Sequence, residues 1–423
     1  MAGPYHAARR FVHELAATGR LPSVVRLGVE LYGGAACAGR ENGAAGALVA
    51  GLEGLAVDAC DAAALATRLD VARTSRSVAL DSYHRLAFDP DTDIGFRVDR
   101  APVYDGNAVR FAAFDRSGVA LVDRAYLAAG DDRVVSSDDA DSRSRTSRVP
   151  YDYATAEDLL RHCRNAGRRI AVVALANEAA LRAPAEVRAR LGMLHETMRC
   201  LVARGLRPAP GDRERPRTAP VRAARLDDSA ASPAERCEIL ALAAAEENAA
   251  GASVVAAPSA GAGAVVAALL VHAVAPTTPG RDNRAVDFLA TAGAIGALLR
   301  ARGLRHAGCQ GEVGVAAAMA AAGYAATLGG TARQSLHAAE LALKPHLGLG
   351  CDPRNGRIES PCIERCVAAA RRACEAAVVS VRDTSAPVAI DAVAASMVQQ
   401  ARSLAGRFKV ESLGGLALSV PDC

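Results

Sequence analysis

The stretch from Gly308 to Arg365 constrains the chain most, because three cysteines fall in it where helices begin or end. Cys309, Cys351 and Cys362 each stand next to a glycine or a proline. Free backbone N–H groups at a helix start lower the pKa of a thiol, and the thiolate is the form that binds iron. Three such thiolates, brought together, can hold a cubane 4Fe-4S cluster with one iron open to a substrate oxygen.

The second part of the chain is predicted to be helical. Helical periodicity runs through residues 149–204 and 233–407, broken by loops rich in glycine and proline. The arginine-rich stretch 207–225 between them has no interleaved aromatic residues, which favours a solvated loop over a nucleic-acid site. No pattern of a parallel sheet is present, so residues 151–423 are expected to form an all-α catalytic domain.

The first 130 residues are predicted to contain strands as well as helix, unlike the second part of the chain. Residues 5–19 predict a helix closed by Gly19, residues 24–33 and 94–99 predict strands, Asp105-Gly106 predicts a hairpin, and 118–129 predict a last strand. Residues 131–148 offer almost nothing apolar and predict a mobile linker. The expected fold class is α+β, with a small α/β sandwich-like N-terminal domain at 1–130, a linker at 131–150 and the helical domain at 151–423.

Charge and lysine content limit the chemistry. The formal net charge is +4, so neither an acidic polymer nor a membrane surface is implied as a partner. Deamination through pyridoxal phosphate needs a Schiff-base lysine, and the chain has only Lys344 and Lys409. Neither lies in a recognisable cofactor motif. Iron is therefore favoured over pyridoxal phosphate.

The cysteine pattern and the absence of a signal peptide predict a reducing cytoplasm. The 11 cysteines are odd in number and irregularly spaced, unlike a disulfide framework. Residues 249–277 carry no formal charge apart from His272 and are long enough to span a membrane. Pro258, Ser259 and several glycines interrupt them, which favours a loop followed by a buried helix.

Four motifs, GCQGEVGVA, LGLGCDP, SPCIER and the terminal SLGGLALSVPDC, resemble those of the iron-sulfur L-serine dehydratases, also called L-serine ammonia-lyases. They occur in that family's order and with similar separations. The resemblance implies a homodimer with a small β-type and a helical α-type domain that converts L-serine to pyruvate and ammonia, in amino-acid degradation and gluconeogenesis. It makes Cys309, Cys351 and Cys362 the cluster ligands. The other cysteines, Cys37, Cys60, Cys163, Cys200, Cys237, Cys366 and Cys374, are interpreted as packing residues.

The resemblance also implies further site residues. The loop AAPSAGAGA at 256–264 matches the family's substrate loop, so Ser259 and Gly261 are expected to help hold the substrate carboxylate at a helix N-terminus, with Asn248 nearby in support. Cys423, at the end of the tail, would cap the open iron or would be a frayed terminus. His346, with His6, is a candidate base near motif positions, and a structural role is open to both.

Several positions depart from the family pattern. Ala260 stands where an asparagine is expected, Pro345 precedes a histidine displaced by one position, and residues 39–45 lose a histidine, a threonine and an aspartate. Met1 stands at the threonine of an N-terminal serine-rich motif that carries the family's usual base. Two other readings therefore stay open: a non-catalytic, cluster-bearing partner or sensor, and a hydro-lyase for another hydroxy acid.

Overall fold

The chain divides into two compact units, which contain the described residues up to 137 and from 149 onward. In the computed structural model, the described residues are 2–37, 39, 43–56, 62–97, 108–128, 134–137, 149–207, 223, 226, 231–250, 255–275, 278, 280–304, 307–351, 360–383, 389–405, 408 and 415–419.

The first unit contains helices and a mixed sheet. In chain order its elements are α1 Ala2–Ala17, β1 Arg26–Tyr32, α2 Gly34–Cys37, α3 Ala44–Glu53, α4 Ala62–Ser75, β2 Ser77–Leu80, β3 His84–Ala87, α5 Pro90–Asp93, β4 Ile94–Arg97, β5 Ala108–Phe114, β6 Ala120–Ala128 and β7 Val134–Ser136. Five strands form one sheet in the order β4-β1-β5-β6-β7, and β2 pairs with β3 separately. The β1–β4 pair is parallel, and the other pairs of the sheet are antiparallel.

Helix α1 and strand β1 form as their periodicity predicts. Ala8, Phe11 and Leu15 recur on one face of α1 and are fully buried, and Gly19 follows the helix with a positive φ of 67°. On this face the ring of Phe11 stacks on that of Phe111 in β5, with centroids 4.7 Å apart. The core of this unit therefore lies between α1 and the sheet.

One sequence-based expectation for this unit is corrected, and another is not tested. The strand predicted at 94–99 is β4, whereas the Asp105-Gly106 turn and the strand before it lie outside the described residues, so the hairpin stays a prediction. The predicted linker contains β7, which pairs with β6 and buries Val134. The abundant polar residues of 131–148 concealed this short apolar pair of valines.

The second unit is helical, so the α+β class is confirmed. Its elements are α6 Ala156–Ala166, α7 Ile170–Ala179, α8 Pro184–Leu206, α9 Pro233–Ala250, α10 Gly263–Ala273, α11 Arg281–Ala301, α12 Cys309–Thr327, α13 Ala332–Leu343, a 3-10 turn Lys344–His346, α14 Cys362–Ser380, α15 Ile390–Ser403 and α16 Leu416–Ser419. The predicted buried helix after the 256–262 loop is α10, and eight of its 11 residues are buried. Among the described helices, none combines the length and apolar character needed to cross a bilayer.

Helix α12 is the centre of the second unit. Seventeen of its 19 residues are buried, and it packs against α10, α11, α13 and α14. Its many alanines and glycines let these neighbours approach closely. At Gly311, a Cβ atom would lie 2.0 Å from the carbonyl oxygen of Leu304, so no side chain fits there. The N-terminal turn of α12 is thereby held at a fixed place, and this turn carries the first motif cysteine.

Candidate active site

Two of the three motif cysteines are the first residues of helices. Cys309 begins α12 after Gly308, and Cys362 begins α14 after Pro361, as the sequence predicts. Cys351 lies beyond the 3-10 turn, and its backbone N–H donates to the carbonyl of Phe408 over 2.7 Å. Each of the three thiols thus stands at an end or a connection, where backbone N–H groups are not all used by helix hydrogen bonds.

Cys309 and Cys351 lie side by side, and their thiol groups are hydrogen-bonded to each other. This hydrogen bond and burial raise the pKa of Cys309. The expectation that a helix start lowers the thiol pKa is therefore wrong for Cys309, since the neighbouring sulfur and the loss of water outweigh the helix dipole. A cation bound at these sulfurs would reverse that balance, because metal binding displaces the thiol proton.

Cys362 belongs to the same neighbourhood through Cys366. Burial raises the pKa of Cys366, and the charges of Cys362, Cys309 and Glu312 raise it further, which requires these groups to be close to it. Cys366 is fully buried and donates its S–H to the carbonyl of Gly261 over 3.0 Å. The interpretation of Cys366 as a packing residue agrees with this internal bond.

The 255–262 loop lies against the first turns of α12 and α14. Ser259 Oγ donates to Glu312 Oε2 in the first turn of α12 over 3.0 Å, and Gly261 accepts from Cys366 in the first turn of α14. The two predicted substrate residues are therefore tied to the two helices that begin with Cys309 and Cys362. This convergence defines the candidate active site.

Asn248, near the end of α9, holds the loop from the other side. Its Nδ2 donates to the carbonyls of Val255 and Ala260, both at 3.0 Å, and its Oδ1 accepts from Val255 N–H at 2.9 Å. These bonds engage the amide with the chain itself, so Asn248 is a positioning residue for the loop.

The loop presents free donors. The Ser259 carbonyl accepts from the N–H groups of Ala262 and Gly263, the N-cap and the first residue of α10. The N–H groups of Ala260 and Gly261, by contrast, donate to no described residue, and both residues are partly exposed. Unused N–H groups directly before a helix N-terminus are suited to bind an anion such as a carboxylate.

His346 is packed tightly. It is 9% exposed, its Nδ1 donates to the carbonyl of Ala342 over 3.0 Å, and its Cβ lies 3.0 Å from where a Cβ of Gly314 would stand. Burial lowers the pKa of His346, so the ring is neutral near physiological pH. Cys423 and Cys60, and the side chain of Cys37, lie outside the described residues.

Sequence reasoning missed three residues that shape this site. Glu312 accepts from Ser259, Gln310 Oε1 accepts from Gly348 N–H at 3.0 Å, and Arg365 Nη1 donates to Gly350 O at 3.0 Å. The last two bonds hold the glycines that precede Cys351. All three side chains lie inside the GCQGEVGVA and SPCIER motifs. Their position within three residues of a motif cysteine could have identified them as site residues.

The donor set fits an iron-sulfur cluster. Three soft thiols, two of them in contact, lie at the starts of α12 and α14 and in the segment that Gln310 and Arg365 position. Thiolates are the usual ligands of such clusters, and each binds a different iron atom, so they need not crowd around one point. A separate group of possible metal ligands also occurs among the described residues. Cys237, His272 and Cys374 offer ligand atoms that all lie within 4.8 Å of one another.

The similarity of the chain to known proteins covers both units. Residues 1–139 match the serine dehydratase beta chain family, and residues 165–417 match the serine dehydratase alpha chain family. The chain is 35% identical over 436 residues to an L-serine dehydratase of Streptomyces coelicolor, covering 100% of this chain and 95% of the relative. It is 32% identical over 435 residues to L-serine dehydratase 2 of Escherichia coli, with the same coverage, and 36% identical over 442 residues to an L-serine dehydratase of Mycobacterium bovis, covering 99% and 94%. The chain therefore belongs to the serine dehydratase family, with its beta-chain and alpha-chain regions in one polypeptide.

Proposed function

We propose that this protein is an L-serine ammonia-lyase, which removes the Cα proton and the β-hydroxyl of L-serine as water; the resulting aminoacrylate then reacts with water to give pyruvate and ammonia. The observation that carries the proposal is the attachment of the Ser259–Gly261 loop to the first turns of α12 and α14, the helices that begin with Cys309 and Cys362. The relatives named L-serine dehydratase, which match nearly the whole chain, support it independently.

Cys309, Cys351 and Cys362 would hold a 4Fe-4S cluster. When bound, the cluster would supply an iron atom without a protein ligand, a Lewis acid that makes a hydroxyl a better leaving group. Gln310 and Arg365 fix the backbone before Cys351, and burial of α12 fixes Cys309. The chain thus provides a site whose ligands are positioned in advance.

The loop binds the amino-acid part of the substrate. The N–H groups of Ala260 and Gly261 would donate to the substrate carboxylate at the start of α10, where the helix dipole favours negative charge. Ser259 donates its proton to Glu312, so the lone pairs of its oxygen are available to accept from the substrate ammonium group. Carboxylate and ammonium together orient the Cα–H bond and the hydroxyl of serine.

His346 is better suited to holding the segment before Cys351 than to acting on substrate. Its Nδ1 is used by Ala342, and its ring packs against Gly314 and the end of α13. We therefore propose a positioning role for His346. The capping role of Cys423, the reducing cytoplasmic location and the homodimer stay predictions from the sequence.

The test is anaerobic purification of the full chain, reconstitution with iron and sulfide, and measurement of visible cluster absorption and of pyruvate formed from L-serine. Wild type is expected to show both, and C362A is expected to lose at least 100-fold in turnover together with cluster absorption. The matched control is C200A, which removes an exposed thiol on α8 and should leave both unchanged. Turnover of C362A at the wild-type rate would refute the cluster mechanism, and a wild-type cluster without turnover would favour the non-catalytic alternative.

A further inference from the structure

A second group of metal-ligating side chains lies away from the candidate active site. Cys237 on α9, His272 on α10 and Cys374 on α14 offer ligand atoms that all lie within 4.8 Å of one another. Cys237 and Cys374 are buried, and His272 is half-buried. From the sequence, both cysteines are interpreted as packing residues, because a free cysteine is commonly a small buried hydrophobic residue.

The ligand atoms of the group are spaced closely enough for a tetrahedral site. A metal–sulfur bond of about 2.3 Å at a tetrahedral centre places two sulfurs about 3.8 Å apart. The thiols of Cys237 and Cys374 already lie within hydrogen-bonding distance of each other. Only a small closure of the three side chains is needed to surround one ion.

Tyr324 of α12 orients the imidazole. Its hydroxyl lies 3.2 Å from His272 Nε2, and the two rings meet edge to face with centroids 5.4 Å apart. A hydrogen-bonded partner that fixes the ring of a histidine is the usual support for a histidine that ligates a metal.

We propose that Cys237, His272 and Cys374 bind a zinc ion. Two thiolates and one neutral imidazole match the ligand preference of zinc. They also neutralise its charge, which keeps the cost of placing the ion in an apolar interior low. Within the described residues, no fourth histidine, cysteine, aspartate or glutamate completes the group, so the fourth position is left to water.

The zinc site joins α9, α10 and α14, three of the helices that position the candidate active site. Cys374 lies twelve residues after Cys362 on α14, about 18 Å along the helix axis. Cys237 precedes Asn248 by eleven residues on α9, about 16 Å along that axis. His272 lies in the last turn of α10, which begins two residues after Gly261. Zinc therefore cross-links these helices at the end opposite the loop and stabilises their packing.

The test uses cobalt(II), whose thiolate complexes absorb strongly, with the full reduced chain under anaerobic conditions. The cluster ligands are removed by C309A/C351A/C362A, so that their thiols cannot compete for the ion. This background is expected to bind one cobalt ion with thiolate absorption, zinc should displace it, and zinc should raise the melting temperature. Adding C374A or H272Q should weaken cobalt binding at least 100-fold.

The matched control is C163A, which removes another buried thiol from the same unit and should leave cobalt binding unchanged. A zinc-dependent rise in melting temperature of wild type that C374A abolishes would support the site in the intact chain as well. The proposal fails if the background shows no thiolate absorption, or if C374A and C163A bind cobalt equally well. A Cys237–Cys374 disulfide found by mass spectrometry in the reduced chain, with no bound zinc, would also overturn it.

Discussion

At the scale of single residues, Asn248 offers a test of the proposed substrate loop. Its amide makes three hydrogen bonds to the backbone of residues 255–260. N248A leaves those partly buried backbone groups without a partner, at a cost of about 1–3 kcal/mol for each group that water cannot reach. Because the loop then loses its fixed shape, we expect KM for L-serine to rise at least tenfold while kcat changes less.

Asn177 supplies the matched control for this prediction. Its amide bonds the backbone N–H and carbonyl of Tyr151 in the same way, far from the loop in sequence. N177A should lower the melting temperature and leave KM unchanged. Steady-state kinetics of both variants decide the point: an equal rise of KM in both would mean that general destabilisation, rather than the shape of the loop, controls binding.

At the scale of elements, Glu30 joins strand β1 to its two neighbours in the sheet, β4 and β5. Its carboxylate accepts from Arg97 of β4 and Arg110 of β5, at 2.8 Å each, and from the hydroxyl of Tyr32 at 2.7 Å. Burial acts to raise the pKa of Glu30, but the hydrogen bonds from Tyr32, Arg97 and Arg110 outweigh it and lower the pKa from 4.5 to about 2. A depressed pKa in the folded state stabilises the fold only while the group is ionised.

E30Q therefore predicts a pH-dependent loss of stability. Above pH 4.5 the ionised carboxylate contributes fully, and the contribution disappears as the pH falls from 4.5 towards about 2. At neutral pH we expect E30Q to lower the free energy of unfolding by about 1 kcal/mol, since its arginine partners are partly exposed and screened by solvent. Urea unfolding at a series of pH values measures the difference, with D70N, an exposed carboxylate on α4, as control. A difference that persists unchanged below pH 3 would contradict this assignment.

The same scale shows what local patterns can and cannot predict. Periodicity predicts α1, β1, β6 and the helices around the motif cysteines, because each depends on which neighbours along the chain face the core. The placement of β1 between β4 and β5 depends on partners 65 to 88 positions apart, and a local pattern carries no such information. The motif cysteines Cys309, Cys351 and Cys362 were recognised through their neighbours along the chain. The Cys237–His272–Cys374 group has no such motif and forms only when α9, α10 and α14 pack together.

At the scale of the whole molecule, the described apolar core is divided between the units. One buried cluster draws its residues from 156–401, and the others draw theirs from 5–134. Each unit has a fully buried phenylalanine in its core, Phe11 in the first unit and Phe288 in the second. Each unit thus has the core that independent stability requires.

F11A and F288A are therefore expected to act on different halves of the chain. Replacing a fully buried phenylalanine by alanine costs about 3–5 kcal/mol through lost transfer energy and the cavity left behind. In F11A we expect faster amide hydrogen exchange in peptides from β5 and β6, which pack against α1, with little change in α12 and α14. F288A should give the reverse pattern, because the Phe288 ring packs against Gly323 of α12. Hydrogen exchange with mass spectrometry on both variants measures this directly. If F11A accelerates exchange in α12 as strongly as in β5, the two cores unfold as one, and the separation of the clusters has no energetic meaning.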